Sequence, residues 1–336
     1  MSRILTGNKL VESVRNRAMI PNDTSVYTDQ NILDIANEEI DVQLLDKLLA
    51  LHEEHLTTHI DVPRNDEGNY DIPYRAVGNK IRDVVLISGG TQYEMTQISI
   101  GELPDYTYDS NATSNGFDKF YVESNQVKFV HKTRSYDTVR IYFYIRPNVL
   151  TKTSEAAVIS QINSPNLVND TIRFEFSSMP AKFSSIEFFD IVGVRTPNKI
   201  KIWDISPSLL RDNEGKVTGF DINTAELYIV FKYSDIKDVM SDIKVGDYVC
   251  KSEESPVPNI PTEMHPLLAQ LAAVHILEAL GDSEGLANAQ RRLDKMTKSV
   301  MQLVDDRVEL APKKIRPRHG VINEAMSGRF RRRRGR

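Results

Sequence analysis

The chain has 336 residues, of which 40% are hydrophobic and 26% charged, so it can furnish a substantial core and wholesale disorder is excluded. Its single cysteine, Cys250, excludes an intrachain disulfide and a cysteine-based zinc site within one chain, and fits a reducing, cytosolic origin. No apolar run approaches the roughly 18 residues of a membrane span, and the N-terminal segment turns polar early, so we expect neither a membrane partner nor export.

The first 60 residues are predicted to be helical. Residues 28–56 repeat apolar side chains at spacings of three and four, which is typical of one helix with a buried stripe. Thr28 is its predicted N-cap. A shorter helix is predicted from Thr6, with Pro21 ending the segment. The predicted inward side chains are Leu10, Val11, Val14, Ala18, Leu33, Ala36, Ile40, Leu44, Leu48 and Leu51.

Residues 61–255 are predicted to form an inserted, mostly β domain. From about Thr58 the apolar period changes to two and turn signals recur about every ten residues. The sequence KFYVESNQVKFV predicts two strands about a Ser124-Asn125 turn, and VRIYFYI at 139–145 alternates as a strand does. Residues 101–116 are predicted to be a long polar loop or an exposed hairpin tip. Further strands are predicted at 82–87, 92–98, 171–176, 186–192, 199–204, 226–232 and 247–251.

Residues 256–311 are predicted to form a helical hairpin. The first helix is expected to begin at Thr262 as its cap and to end at Gly281, the residue type that favours a left-handed helix terminus. Asp282 or Ser283 is expected to cap the second helix. The inward side chains of this second helix are predicted to be Leu286, Leu293, Met296, Val300 and Leu303.

The two helical ends are expected to pack together, because neither carries enough apolar surface to form a core alone. The predicted fold class is therefore α+β. A helical bundle is built from the N- and C-terminal segments, a large antiparallel β domain is inserted between them, and an extended basic tail covers residues 312–336.

The strongest candidate for a metal site in the sequence is HEEHLTTH at 52–59. A zinc helix needs its second histidine four residues after the first, and His52 is followed at that spacing by Leu56. His55 and His59 form such a pair if the helix extends that far, and a favourable interaction with the helix C-terminus is the alternative. We predict no metal site.

Other motifs of catalysis are missing from the sequence. It holds no phosphate loop, no dinucleotide-binding fingerprint and no nucleophile elbow. Residues 65–69 (NDEGN) and 212–216 (DNEGK) lack the ligand pattern of a calcium loop and are predicted to be hairpin turns. His265 and His275 are predicted to be packing or surface residues. We therefore predict no enzymatic activity and no cofactor.

Positive charge is concentrated in the C-terminal segment 312–336. It carries ten lysines and arginines against Glu324, a formal +9, so the other 311 residues carry −14 of the total of −5. A run of one sign at a chain end favours docking onto an acidic partner, since guanidinium groups bind carboxylates and phosphates. The predicted partner-binding residues are Lys313, Lys314, Arg316, Arg318, Arg329, Phe330, Arg331, Arg332, Arg333, Arg334 and Arg336.

Both ends of the sequence resemble the head-to-tail adaptor, or neck ring, proteins of tailed bacteriophages, the crAss-like podophages included. Near the start, LVESVRNRAMIPNDTSVYTDQNILDIANEEI is similar to the opening of that family. Towards the end, VGDYVCKSEESPVPNIPTEMHPLLAQLAAVHILEALGDSEGLANAQRRLDKM matches its Pro-marked linker, its His-Pro-Leu-Leu helix start and its Leu-Gly-Asp between two helices. Together these stretches cover about 120 residues, and the β insertion lies outside them.

This resemblance implies a structural virion protein located in the neck, between capsid and tail, and made in the host cytoplasm. It implies a homo-oligomeric ring, twelve-fold to match the portal, with the portal protein above it and a tail or neck protein below it. Segment 312–336 is then expected to dock on the portal. The alternative is a nucleic-acid-binding protein whose arginine-rich tail contacts DNA in the channel, and an enzyme with an unrecognised site is the third and weakest reading.

Overall fold

The computed structural model describes residues 4–21, 26–65, 67–103, 119–130, 136–194, 199–211 and 217–304. Helices lie at both ends of this range, and strands make up most of its middle. The predicted α+β class is therefore confirmed, while the basic tail over 312–336 lies outside the described residues.

The first helix, α1, spans Gly7–Ala18. It ends where Met19 adopts a positive φ of 55°, before Pro21, which was predicted to end the segment. Its apolar face is the predicted one, since Leu10 and Val14 are fully buried and Val11 and Ala18 nearly so.

The second helical stretch has three parts. Helix α2 spans Asp29–Glu39, and the Thr28 hydroxyl accepts a hydrogen bond from the Asn31 amide at 3.2 Å, which confirms the predicted N-cap. It continues through a π-helical segment, Ile40–Leu44, into α3, Leu45–Leu51. The predicted stripe is buried as far as α3; its members are Leu33, Ala36, Ile40, Leu44 and Leu48.

The C-terminal segment forms the predicted helical hairpin. A 3-10 turn, Thr262–Met264, leads into α4, His265–Leu280, which ends at Gly281 with φ 71°. Helix α5 then spans Ser283–Val304, and the Asp282 carboxylate caps it by accepting a hydrogen bond from an amide of its first turn at 3.0 Å.

Two details of the hairpin prediction are wrong. Thr262 does not cap α4, because it begins the 3-10 turn, and its hydroxyl has no hydrogen-bond partner among the described residues. Leu303 is 71% exposed, and Val304 is buried instead. One residue is a step of about 100° around an α-helix, so the inward position at the end of α5 falls one residue later than predicted.

Helix α4 is the centre of the helical core. Helices α1, α2 and α5 all pack against it, and their apolar side chains form one cluster with it. This confirms that the two ends of the chain pack together. The α4 side chains buried in the cluster are Leu267, Leu268, Ala269, Leu271, Ala272, Ala273, Ile276 and Leu277.

Between α3 and α4 the structure describes mostly short strands, several 3-10 turns and one α-helical turn, Tyr233–Ile236. The strands are β1 (Thr57–Pro63), β2 (Asn69–Asp71), β3 (Ala76–Ser88), β4 (Thr91–Glu94), β5 (Thr96–Gln97), β6 (Lys119–Glu123), β7 (Gln126–Phe129), β8 (Thr138–Ile145), β9 (Val149–Leu150), β10 (Ala157–Ile162), β11 (Thr171–Phe176), β12 (Phe189–Val192), β13 (Ile200–Ile205), β14 (Leu209–Arg211), β15 (Val217–Phe220), β16 (Ile222–Asn223), β17 (Tyr228–Lys232), β18 (Tyr248–Lys251) and β19 (Glu254–Ser255). Each predicted strand overlaps one or more of these.

The first β lobe consists of two four-stranded sheets, β1-β8-β3-β4 and β2-β7-β6-β5, around one apolar cluster. Strand β8 shows the predicted alternation, with its odd-numbered residues from Val139 to Ile145 buried. The predicted turn between β6 and β7 is present, and both Ser124 and Asn125 adopt positive φ, as a tight hairpin requires. The predicted loop at 101–116 lies outside the described residues from position 104 onward.

The second β lobe consists of a seven-stranded sheet, β13-β12-β18-β10-β11-β17-β16, with its own apolar cluster. All its neighbouring strands pair antiparallel. Trp203 on the edge strand β13 meets Phe143 of the first lobe edge to face, with ring centroids 6.0 Å apart. The two lobes are therefore in direct apolar contact.

One of the two acidic segments predicted to be hairpin turns differs from its prediction. Residues 65–69 do contain a turn with Gly68 at a positive φ of 71°. It is not a hairpin turn, because β1 and β2, which flank it, belong to different sheets. Residues 212–216 lie outside the described residues, between the paired strands β14 and β15.

Candidate functional site

The residues predicted to bind a partner all lie outside the described residues. They belong to segment 312–336, whereas the description ends at Val304, the last residue of α5. The polar sites below are built from other residues. Of the residues that form these polar sites, only the histidines were considered as candidates from the sequence.

A buried ion pair joins the two β lobes. Arg75 lies just before β3 in the first lobe, and Asp190 lies in β12 of the second. Their side chains are 2% and 0% exposed. Both terminal nitrogens of the Arg75 guanidinium donate to the Asp190 carboxylate at 3.0 Å. A charge-assisted pair with two donors fixes the relative orientation of its partners.

Neighbouring polar groups complete the network around this pair. Asp190 also accepts hydrogen bonds from the Asn148 side-chain amide at 2.6 Å and from the backbone amides of Asp204 at 2.9 Å and Glu253 at 3.1 Å. Arg75 in turn donates to the side-chain Oδ1 of Asn148 and, at 3.3 Å, to the Asp204 carboxylate. Because both charged groups are hydrogen-bonded on several sides, their burial is tolerated.

The electrostatics of this network favour a structural role. Burial by itself lowers the pKa of the Arg75 guanidinium, but the charge and hydrogen bonds of Asp190 outweigh it and raise that pKa above its ordinary value. Arg75 therefore stays charged. Since the Asp190 carboxylate is already occupied by donors from within the chain, it fastens the lobes together and presents no reactive group to solvent.

A cleft of about 160 Å³ lies beside this network. Its wall includes Asp41 from the π-helical segment, Tyr74, Arg146 and Glu253, so it offers charges of both signs. The Tyr74 hydroxyl donates to Asp204 at 2.7 Å. The ten residues that line the cleft include two carboxylates, Asp41 and Glu253, and the phenol of Tyr74, but no serine, cysteine or histidine.

The HEEHLTTH segment does not form a histidine pair on one helix. The helix predicted to continue to residue 56 ends at Leu51, after which a 3-10 turn, Glu53–His55, leads into β1. His52 and His55 have ring centroids 6.1 Å apart, whereas His59 lies in β1 against Tyr142. The described residues contain no group of three or more potential metal ligands.

Two histidines beside the helical core, His55 and His265, are buried. His265, at the start of α4, accepts a hydrogen bond at Nδ1 from the Leu5 amide at 3.2 Å, and its Nε2 lies 3.2 Å from the Ile260 carbonyl. Burial lowers the pKa of His265 to about 4. Burial and the nearby charge of Lys199 lower the pKa of His55 to about 4 as well. Both rings are therefore neutral near pH 7, as packing residues are.

The second histidine of α4 has a different environment. The His275 Nδ1 lies 3.0 Å from the Glu39 carboxylate of α2, and its side chain is partly exposed. On another side of α4, the Gln270 side chain accepts from Arg17 of α1 at 2.7 Å and donates to the Ala289 carbonyl of α5 at 3.2 Å. These polar contacts fix which side of α4 each neighbouring helix occupies.

Within the described residues, no helix combines the length and apolarity needed to cross a lipid bilayer. Comparison with known proteins identifies no family, because no protein-family profile matches the chain and no curated protein is similar to it in sequence.

Proposed function

We propose that this chain is a structural virion protein, the subunit of a ring that joins the portal vertex of a phage capsid to the tail. The ring is a dodecamer that matches the portal. Segment 312–336 docks on the portal protein, and the β lobes face a downstream tail or neck protein. The role is one of assembly and involves no catalysis. The likeness of both chain ends to neck ring proteins is the origin of this proposal.

The observation that carries the proposal is the single helical core formed by both ends of the chain. Residues as distant as Leu10 and Ile276 belong to one apolar cluster, and the β region leaves this core after α3 and returns to it before α4. Such a layout suits a ring subunit. Its core contacts neighbouring copies, while the insertion contacts other proteins without disturbing that core.

The charge of segment 312–336 supports docking. This segment carries a formal +9 at the end of a chain whose other residues carry −14. Its arginines suit acidic protein surfaces because each guanidinium presents a fixed fork of donors. In a dodecameric ring the segment is repeated around the axis, so that weak contacts of single copies add up to tight attachment.

The proposal is tested by deleting residues 312–336 from the full chain. The truncated protein should keep the circular dichroism spectrum and melting temperature of the full chain but no longer attach to purified portal protein or to heads that lack the neck. A variant with Arg331–Arg334 replaced by glutamine is the matched control, because it keeps the length and loses only charge. Normal attachment of the truncated protein would show that the docking role is wrong.

Self-association is the second part of the test. Native mass spectrometry and negative-stain imaging of the full chain, alone and with portal protein, should reveal a ring in at least one condition. A chain that stays monomeric in both conditions and does not bind the portal would overturn the proposed function.

Contact with DNA is the second candidate function, and the run Arg331–Arg334 favours it because arginines bind phosphates well. Titration of duplex DNA at several salt concentrations separates it from docking. DNA binding by the tail predicts that the logarithm of affinity falls with log salt by about 0.9 for each phosphate contacted. Attachment to portal protein free of DNA supports docking, whereas attachment only in the presence of DNA supports the second candidate.

A further inference from the structure

One exposed helix face of the core is acidic. Along α2, the π-helical segment and α3, four acidic side chains follow one another at spacings of four, three and five, and all four are exposed. None of them forms an ion pair with another described residue. We call this set the acidic face; its members are Asp34, Glu38, Asp41 and Asp46.

The π-helical segment keeps this face continuous. Within Ile40–Leu44 the backbone bonds five residues back, as the hydrogen bond from the Leu45 amide to the Ile40 carbonyl shows. Asp41 and Asp46 are five residues apart, which is about one turn of such a helix, so they stay on one side. In a plain α-helix a step of five residues would turn Asp46 by about 140° from Asp41.

A second exposed face, on α5, is basic. Four lysines and arginines in its C-terminal two thirds are exposed, with Asp294 as the only acid between them. None of the four forms an ion pair with another described residue. Burial and the positive charge of Arg292 lower the pKa of Arg17 on α1, so positive charges crowd together here. The members of this basic face are Arg291, Arg292, Lys295 and Lys298.

The two faces cannot neutralise each other within one chain. Helix α2 contacts α4 at His275, and α5 contacts α4 at Gln270. These two positions are five residues apart, which is about 140° around α4. Helices α2 and α5 thus lie on different sides of α4, and the charged faces are the sides of α2 and α5 exposed to solvent.

We propose that the acidic face of one copy docks on the basic face of a second copy of this chain. Two different patches meeting head to tail form a heterologous contact, which generates a ring when its rotation closes. This proposal rests on the proposed ring function and names the surfaces that would build it. Outside segment 312–336 each copy carries −14, so two copies repel one another. Attraction between the acidic and basic faces offsets this repulsion.

The test reverses two of the four charges of each face in the full chain, which brings the formal charge of that face from −4 or +4 to zero. One variant carries Asp34→Lys and Glu38→Lys, and the other carries Lys295→Glu and Lys298→Glu. Each variant alone should self-associate about tenfold or more weakly than the unchanged chain in sedimentation velocity, because the altered face has lost its net charge and no longer attracts the opposite face. An equimolar mixture of the two should regain association, since the unaltered basic face of the first variant then meets the unaltered acidic face of the second.

Controls separate this interface from a general effect of net charge. Glu187→Lys with Glu226→Lys makes the same charge change as Asp34→Lys with Glu38→Lys, at exposed positions of the second β lobe, and should leave association unchanged. For the unchanged chain, raising the salt from about 0.1 M to about 1 M shortens the screening length from about 10 Å to about 3 Å and should weaken association. Melting temperatures within a few degrees of the unchanged chain show that the variants are folded.

The results distinguish the inference from the proposed function. If the unchanged chain assembles only on portal protein, the same variants are compared in that complex. Rings that form normally from either reversed variant, or a mixture that regains nothing, overturn the inference and leave the ring function standing. Loss of association on deleting 312–336, with no effect of Lys295→Glu and Lys298→Glu, would make the tail the occupant of the acidic face and also overturn the inference. A chain that never assembles overturns both.

Discussion

Replacing Arg75 by methionine should destabilise the protein strongly. The change removes a guanidinium that is 2% exposed and leaves the fully buried Asp190 carboxylate without its counter-charge. Removing one partner of a buried ion pair costs about 3–5 kcal/mol. Asp190 keeps three donors, the Asn148 side chain and the backbone amides of Asp204 and Glu253, so we expect the lower end, about 3 kcal/mol. Urea denaturation with linear extrapolation measures this loss.

Arg140→Met is the matched control. Arg140 also pairs with a carboxylate through two hydrogen bonds, to Asp61 at 2.7 Å, but these side chains are 23% and 41% exposed. An exposed pair contributes up to about 1 kcal/mol, so the control should lose no more than that. A loss below about 1 kcal/mol for Arg75→Met, or equal losses for the two variants, would refute the role assigned to the buried pair.

The remaining predictions concern pH and one close backbone approach. His55 and His265 have pKa values near 4 in the folded protein and about 6.5 when unfolded, so stability is complete above about pH 6.5 and falls as the pH drops toward 4. Each of these two histidines should lower the free energy of unfolding by about 2 kcal/mol at about pH 5. Urea titrations that give the same unfolding free energy at about pH 7 and pH 5 would contradict this. Gly7→Ala places a methyl group 2.2 Å from the Thr151 carbonyl oxygen and should cost about 1–3 kcal/mol in thermal unfolding. The control is Gly101→Ala, whose added methyl group would have no atom closer than 3.9 Å. It should lower thermal stability clearly less than Gly7→Ala does.

Local patterns were enough to predict most of the elements. Strand β11 has the predicted bounds, Thr171–Phe176, and β8 buries the predicted face, because a half-buried strand must alternate. The Thr28 cap and the Gly281 terminus were likewise predictable, since each depends on residues within one helical turn. The packing of the two ends followed from their shortage of apolar surface.

The polar network could not be predicted in the same way. Arg75 and Asp190 are 115 residues apart, and only the fold brings them together. One signal was present, a lone aspartate in the apolar run FFDIV at 188–192, because a charge in a buried strand needs a partner. The π-helical segment Ile40–Leu44 gave no signal, since apolar residues four apart fit an α-helix equally well.

The hydrogen bond from the Leu5 amide to His265 has a consequence for synthesis of the chain. Its partners are 260 residues apart, and the apolar faces of α1 and α2 are covered mainly by α4. At about 5–20 residues per second, ribosomes need about 13–50 s to make the intervening chain. The N-terminal helices therefore lack the apolar surface of α4 while the ribosome synthesises both β lobes. Folding of the core is completed only after α4 has been synthesised, so chaperones have their longest opportunity to bind before that point.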